Sequence, residues 1–233
     1  MLFLLSQAGT PSAARIIQIQ APVQPAGFAA AERADVATAG VPAERPTYLQ
    51  ISSREAAIRT AAHGTKVVIG ITGTCPYGIG SCWGGAYEAL GRLEGVDLVS
   101  PVPDAGDSTA QLFLADDRLP PLQRWNEQFR HIVNGTYEMR GVEVTVRSSI
   151  YLADGQYFLT GTDRRPPVQL APLTEKIQWD HLARSLKPPQ EQELHAYDNL
   201  IIRHRDAGEP VTVTGPLTQT DGEYHVHVRL LEA

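Results

Sequence analysis

Residues 66–102 read KVVIGITGTCPYGIGSCWGGAYEALGRLEGVDLVSPV, and the fold is decided there. Lys66-Val67-Val68-Ile69-Gly70-Ile71 is a compact β-branched run bounded by glycines, the pattern of a buried central strand. Beyond it, Trp83, Ala86, Tyr87, Leu90 and Leu93 fall at offsets 0, 3, 4, 7 and 10, one face of a helix, with Ser81 placed to cap its start and Gly95 to end it. Val96 to Val102 then reads as a second strand. Between strand and helix lie the chain's two cysteines, Cys75 and Cys82.

Working outward, Pro103-Asp104-Ala105-Gly106-Asp107 is a turn cluster, followed by a short strand over Ala110 to Leu114. Leu122, Trp125, Phe129 and Ile132 repeat at helical spacing from Pro121, and Asn134-Gly135 supplies the stop. Gly141 to Leu152 is strand-like. The order strand, helix, strand, strand, helix, strand is the split βαβ, or ferredoxin-like, arrangement. Further on, Asp154-Gly155 and Asp221-Gly222 each sit between alternating runs, and both read as tight hairpins. A short run from Val168 to Leu173 and a helix from Gln190 to about Arg203 separate them. Three strands, a helix and two strands are the element order of a small OB-like β-barrel. The expectation is therefore an α+β chain, a ferredoxin-like module over residues 47–140 followed by an OB-like module over 141–233. A strand over Val142 to Leu152 could serve both and fuse them.

N-terminal to this, residues 21–46 hold nine Ala and four Pro with no repeating large aliphatic residue, so residues 1–46 read as a disordered tail or linker. Ser52-Ser53-Arg54-Glu55 reads as a capping box that opens a short helix. Met1 to Leu5 is apolar and leads to Ser12-Ala13-Ala14, which resembles the end of a secretory signal without its basic start. With one local cysteine pair, this points to a periplasmic or secreted protein.

Composition narrows the function classes. The chain has 233 residues, 42% of them apolar, enough for at least one core. A formal net charge of −6 gives no general attraction to phosphate backbones. The basic clusters Asp163-Arg164-Arg165 and Arg203-His204-Arg205 are not interleaved with aromatics, so nucleic acid is not an expected partner. No apolar run is long enough for a membrane span. No Gly-x-Ser-x-Gly turn is present, and no catalytic residues are assigned.

Residues 67–75, VVIGITGTC, Cys82 opening a helix, and residues 89–99, ALGRLEGVDLV, together resemble a heavy-metal-associated domain. In that family a strand ends in a loop cysteine, a second cysteine begins the helix, and a Leu-x-Gly-Val segment leads into the next strand. The resemblance covers about a third of the chain. Six residues separate Cys75 from Cys82, where the family has two, so it supports the fold more than metal carriage. Residues 142–233 are similar to secreted OB-type modules in element order, which implies ligand contact on a strand face and two loops.

The cysteine pair admits two readings. As a disulfide, an eight-residue closed segment would stabilise the fold by about 2.5 kcal/mol in the chain-entropy view. As thiolates, Cys75 and Cys82 would suit a soft metal such as copper, with the helix dipole favouring ionised Cys82. The disulfide leads, and inert thiols are the third alternative. His225 and His227, two apart on a strand, share a face and could serve zinc given a further ligand from His181, His195 or His204; an ordinary solvated face competes. Asp104, Asp107, Asp116 and Asp117 are spaced like turn and cap residues, and Gly78 to Gly84 fails the dinucleotide fingerprint at Trp83. Two functions follow as expectations: a non-catalytic binding protein outside the cytoplasm with a protein or saccharide partner, or a metal-handling protein using Cys75 and Cys82.

Overall fold

Alternation along β1 (Lys66–Gly73) sets up two unlike faces: Val67, Ile69 and Ile71 are fully buried, whereas Lys66, Val68 and Thr72 are partly exposed. A computed structural model describes residues 56–58, 60–74, 78–204 and 209–232. The expected tail over 1–46, the capping box at residues 52–55 and Cys75 lie outside the described residues. Residues 56–58 and 60–61 are helical.

The elements that follow are α1 (Trp83–Leu90), β2 (Val96–Val99), β3 (Thr109–Leu114), α2 (Leu122–Val133) and β4 (Tyr137–Ser148). Their sheet order is β2-β3-β1-β4 with every pair antiparallel. Ala86, Ala89 and Leu90 of α1 and Trp125, Phe129 and Val133 of α2 join the same apolar cluster as Val67, Ile69, Leu112, Val142 and Val144. Both helix limits of α2 follow the sequence: Pro121 precedes it and Asn134, in the left-handed region, closes it. For α1 the limits differ from expectation. Cys82, not Ser81, holds the N-cap position, and the helix stops at Gly91, four residues before Gly95. Gly95 instead takes φ +77° in the turn into β2, whose pairing ends at Val99 because Pro101 and Pro103 follow.

The second half comprises β5 (Ile150–Ala153), β6 (Gln156–Leu159), β7 (Val168–Pro172), β8 (Trp179–Asp180), β9 (Ser185–Leu186), α3 (Glu191–Leu194), α4 (Ala196–His204), β10 (Val211–Thr220), β11 (Glu223–Val228) and β12 (Leu230–Glu232). Asp154-Gly155 and Asp221-Gly222 have positive φ at both residues, as two-residue hairpin turns require. The single helix expected from Gln190 breaks at His195 into α3 and α4. Leu200 of α4 is fully buried against the core.

These strands do not form a separate closed barrel. β4 pairs with β1 along one edge and with β10 along the other, so one ten-stranded sheet runs β2-β3-β1-β4-β10-β11-β7-β6-β5, with β12 on β10. The boundary expected at 140/141 falls inside β4, and Arg45–Ala233 clusters as one compact unit. Only Ser149 separates β4 from β5. The one parallel pair in the sheet is β7 with β11.

A strap over residues 173–187 crosses the helix-free face of the sheet. It passes so close that a Cβ at Gly141 would lie 2.8 Å from Cγ2 of Ile177, and one at Gly70 2.9 Å from the Ile177 carbonyl. The register between β1 and β4 shifts at this point, skipping Arg140. The Arg140 guanidinium donates to Thr72 Oγ1 (2.7 Å) and to the carbonyls of Ser108 and Ile177 (both 2.9 Å), and lies 5.2 Å from the Trp179 ring centroid. Burial lowers its pKa to about 10. Arg140 therefore ties the strap to the sheet while remaining a cation at neutral pH.

Candidate functional site

The hairpin ladders of the second half place a row of side chains on one sheet face. Tyr151 pairs with Phe158, Phe158 with Gln169, and Gln169 with His225. Because alternate residues along each strand turn to opposite faces, the neighbouring Leu159, Val168, Leu170, Val226 and Val228 point inward and are buried, while this row remains at least partly exposed. The Tyr151 and Phe158 rings stack at 5.4 Å with an interplanar angle of 21°. Tyr151 is 38% exposed and Leu152 beside it 60%. The row thus runs from a stacked aromatic pair to an amide and an imidazole. It carries no Lys or Arg.

His227 lies on the same face, one pair further along, opposite Ala171. Its Nδ1 is 3.1 Å from the Pro172 carbonyl, which only accepts, so Nδ1 carries the proton; Nε2 is 3.2 Å from Thr218 Oγ1. Both ring nitrogens are engaged with the protein. His195 is the C-cap of α3, and the His204 side chain lies outside the described residues. Among the described residues no group of three His, Cys, Asp or Glu side chains is arranged to hold a metal ion.

Cys82 sits half-buried at the N-cap of α1, and its carbonyl accepts a hydrogen bond from the Tyr137 hydroxyl. The cysteine loop is approached from the turn between β8 and β9: a Cβ on Gly78 would lie 3.6 Å from the His181 ring. His181 therefore neighbours the cysteine segment, not the histidines of β11. The four aspartates behave as turn and ion-pair residues. Asp104 Oδ1 accepts the Asp107 N–H (3.0 Å), Asp107 binds Lys187 Nζ (2.6 Å), Asp116 binds Arg118 (2.9 Å), and Asp117 accepts the Thr162 hydroxyl (2.7 Å).

A buried ionic cluster was not anticipated from the sequence. Glu143, in the middle of β4, is 2% exposed and takes two hydrogen bonds from Arg229, at 2.6 Å from Nε and 2.5 Å from Nη2. Arg229 Nη1 reaches Glu193 Oε1 at 3.1 Å, and Lys176 Nζ closes the chain at 2.8 Å from Glu193 Oε2. Glu193 also accepts the Gln190 N–H as the third residue of a capping box. Burial pushes the Glu193 carboxyl up, but the hydrogen bonds from Gln190, Lys176 and Arg229 outweigh it and hold the group below its ordinary value. Two carboxylates and two cations thus link β4, α3, the strap and the residue after β11. Arg165, of the basic cluster at residues 163–165, is likewise buried, with its guanidinium on the Thr160 carbonyl at 3.2 Å.

No known protein family, no curated protein and no solved structure matches this chain at a significant level. No helix among the described residues is long and apolar enough to cross a membrane.

Proposed function

We propose that this protein is a non-catalytic binding protein acting outside the cytoplasm. Its first half is ferredoxin-like and similar to heavy-metal-associated domains, and its second half has the OB-type strand plan. The order β2-β3-β1-β4 around two helices supports the first assignment. The succession β5-β6-β7-β11-β10-β4, with its one parallel pair and with β4 and β5 acting as two arms of one bent strand, supports the second. The Cys75–Cys82 pair is a disulfide in this reading.

The observation that carries the function is the row Tyr151, Phe158, Gln169 and His225. A flat stacked aromatic pair covers the apolar face of a sugar ring, and an adjoining amide and imidazole exchange hydrogen bonds with its hydroxyls. With no cation on the row, phosphate backbones gain nothing there. The partner is a neutral saccharide. Titrating the full chain with cellohexaose, maltohexaose and chitohexaose tests this: at least one binds, and Tyr151→Ala weakens it more than about tenfold, the loss of a central aromatic anchor. No binding across the panel, or binding indifferent to Tyr151→Ala, contradicts the reading, as does salt-sensitive binding of oligothymidylate.

A second reading, metal handling through Cys75 and Cys82, is favoured by the His181 ring beside the loop that joins them. Copper or zinc would find two sulfurs and an imidazole in one neighbourhood. Thiol titration with and without reductant, followed by Cu(I) titration of the reduced chain, separates the two. A pair already oxidised supports the disulfide. Reactive thiols that capture one Cu(I), with capture weakened by His181→Ala, support the metal.

A further inference from the structure

On the helix-free face of the sheet, between the β2–β3 turn and the strap, lies a cleft of about 530 Å³, far from the aromatic row in the order of strands. Val68 and Gln111 contribute its floor, with Glu143 and Arg229 at one wall, Gln178 on the strap and Asp104 on the turn. Lys187 braces the walls by bonding both the Gly106 carbonyl (2.8 Å) and the Asp107 carboxylate (2.6 Å), and the Trp179 N–H bonds the Asp107 carbonyl (2.9 Å).

Most charge in this cleft is already committed. Arg229 spends its three donors on Glu143 and Glu193, and Lys187 is held by Asp107. What remains is a set of acceptors. Gln178 is 6% exposed, and its Oε1 is a buried oxygen with no hydrogen-bond partner, while its Nε2 is directed to Glu143 at 3.5 Å. Buried acceptors without a donor are rare enough to require a reason. Asp104, whose carboxylate takes only the backbone N–H of Asp107, adds an uncompensated negative charge at the rim. A ligand that complements these groups brings donors and a positive charge, and the volume accommodates a molecule of metabolite size.

We propose that this cleft binds a small organic ammonium compound, with Asp104 facing the charge and Gln178 accepting one of its N–H groups. The inference is independent of the saccharide reading, since the two surfaces share no residue. The test is calorimetric titration of the full chain with putrescine and with glucosamine, against 1,4-butanediol and glucose as neutral counterparts. The ammonium compounds bind and the neutral ones do not. Asp104→Asn, which keeps the turn hydrogen bond, and Gln178→Leu, which leaves the Glu143–Arg229 pair intact, each weaken binding at least tenfold, about 1.4 kcal/mol. Denaturation midpoints confirm that both variants fold, and a variant that does not fold is replaced by Gln178→Glu, which tightens ammonium binding. Absence of binding by either ammonium compound overturns the proposal. So does equal binding of the neutral counterparts, or affinity unchanged in the folded variants.

Discussion

At Glu143 the local pattern and the tertiary structure disagree. In the alternating run Val142-Glu143-Val144-Thr145-Val146 it stands where a half-buried strand would meet water, yet it is buried beneath the strap and paired with Arg229, 86 residues away. No sequence spacing encodes a partner at that distance, so this cluster was illegible, as was the burial of Arg165. The magnitudes separate it from surface pairs. Removing one member of a buried pair leaves a charge stranded and costs about 3–5 kcal/mol, whereas exposed pairs such as Arg92–Glu88 contribute about 0–1 kcal/mol. Glu143→Gln should lower the unfolding free energy by about 3 kcal/mol in urea titration, and Arg92→Ala by less than about 0.5 kcal/mol; comparable effects would contradict the assignment. Glu193 adds a pH signature. Its carboxyl is lower in the folded than in the unfolded chain, so its stabilisation is present above the unfolded pKa and is lost as pH falls through the folded value. Stability should decline below about pH 4, the carboxylate range, and Lys176→Met should move that decline to higher pH. An unchanged acid limb in Lys176→Met would argue against the linkage.

Among the elements, those governed by local chemistry were readable. The β-branched run of β1, the apolar spacing of α2 and both Asp-Gly hairpins appear where the sequence put them, because each depends on residues within one turn or one hairpin. The limits of α1 were misread because Gly91, aligned with its helical spacing, ends it before Gly95 does. The aromatic row was legible only in pieces. Tyr151, Phe158 and His225 come from three strands, and their alignment is set by ladder register, which the sequence does not state. The strap over residues 173–187, which walls the cleft, contains little regular structure and gave no signal. Its path depends on the missing side chains at Gly70 and Gly141. Gly141→Ala should force Ile177 outward and cost about 1–3 kcal/mol, the usual penalty of overpacking, read as a lowered denaturation midpoint with increased protease cleavage within residues 173–187. A midpoint unchanged from the parent would mean that the strap does not lie against β4.

Over the whole molecule, β4 is the decisive element. Composition and hairpin placement separated two halves correctly in element order, but a strand wide enough in pairing to serve both was open in the sequence as one alternative only. With Lys66 to Gly73 bonded to one edge and Val211 to Pro216 to the other, each half completes the other's sheet. Neither the saccharide row nor the ammonium cleft can then be expected on an isolated half, since excision leaves an unpaired strand edge and removes half the core. The direct test is urea unfolding of the full chain followed by hydrogen exchange, comparing amides of β1 and β3 with those of β7 and β11. The two sets should lose protection at the same midpoint, as one cooperative unit; two separated midpoints, with β7 and β11 protected after β1 and β3 have opened, would contradict the shared strand.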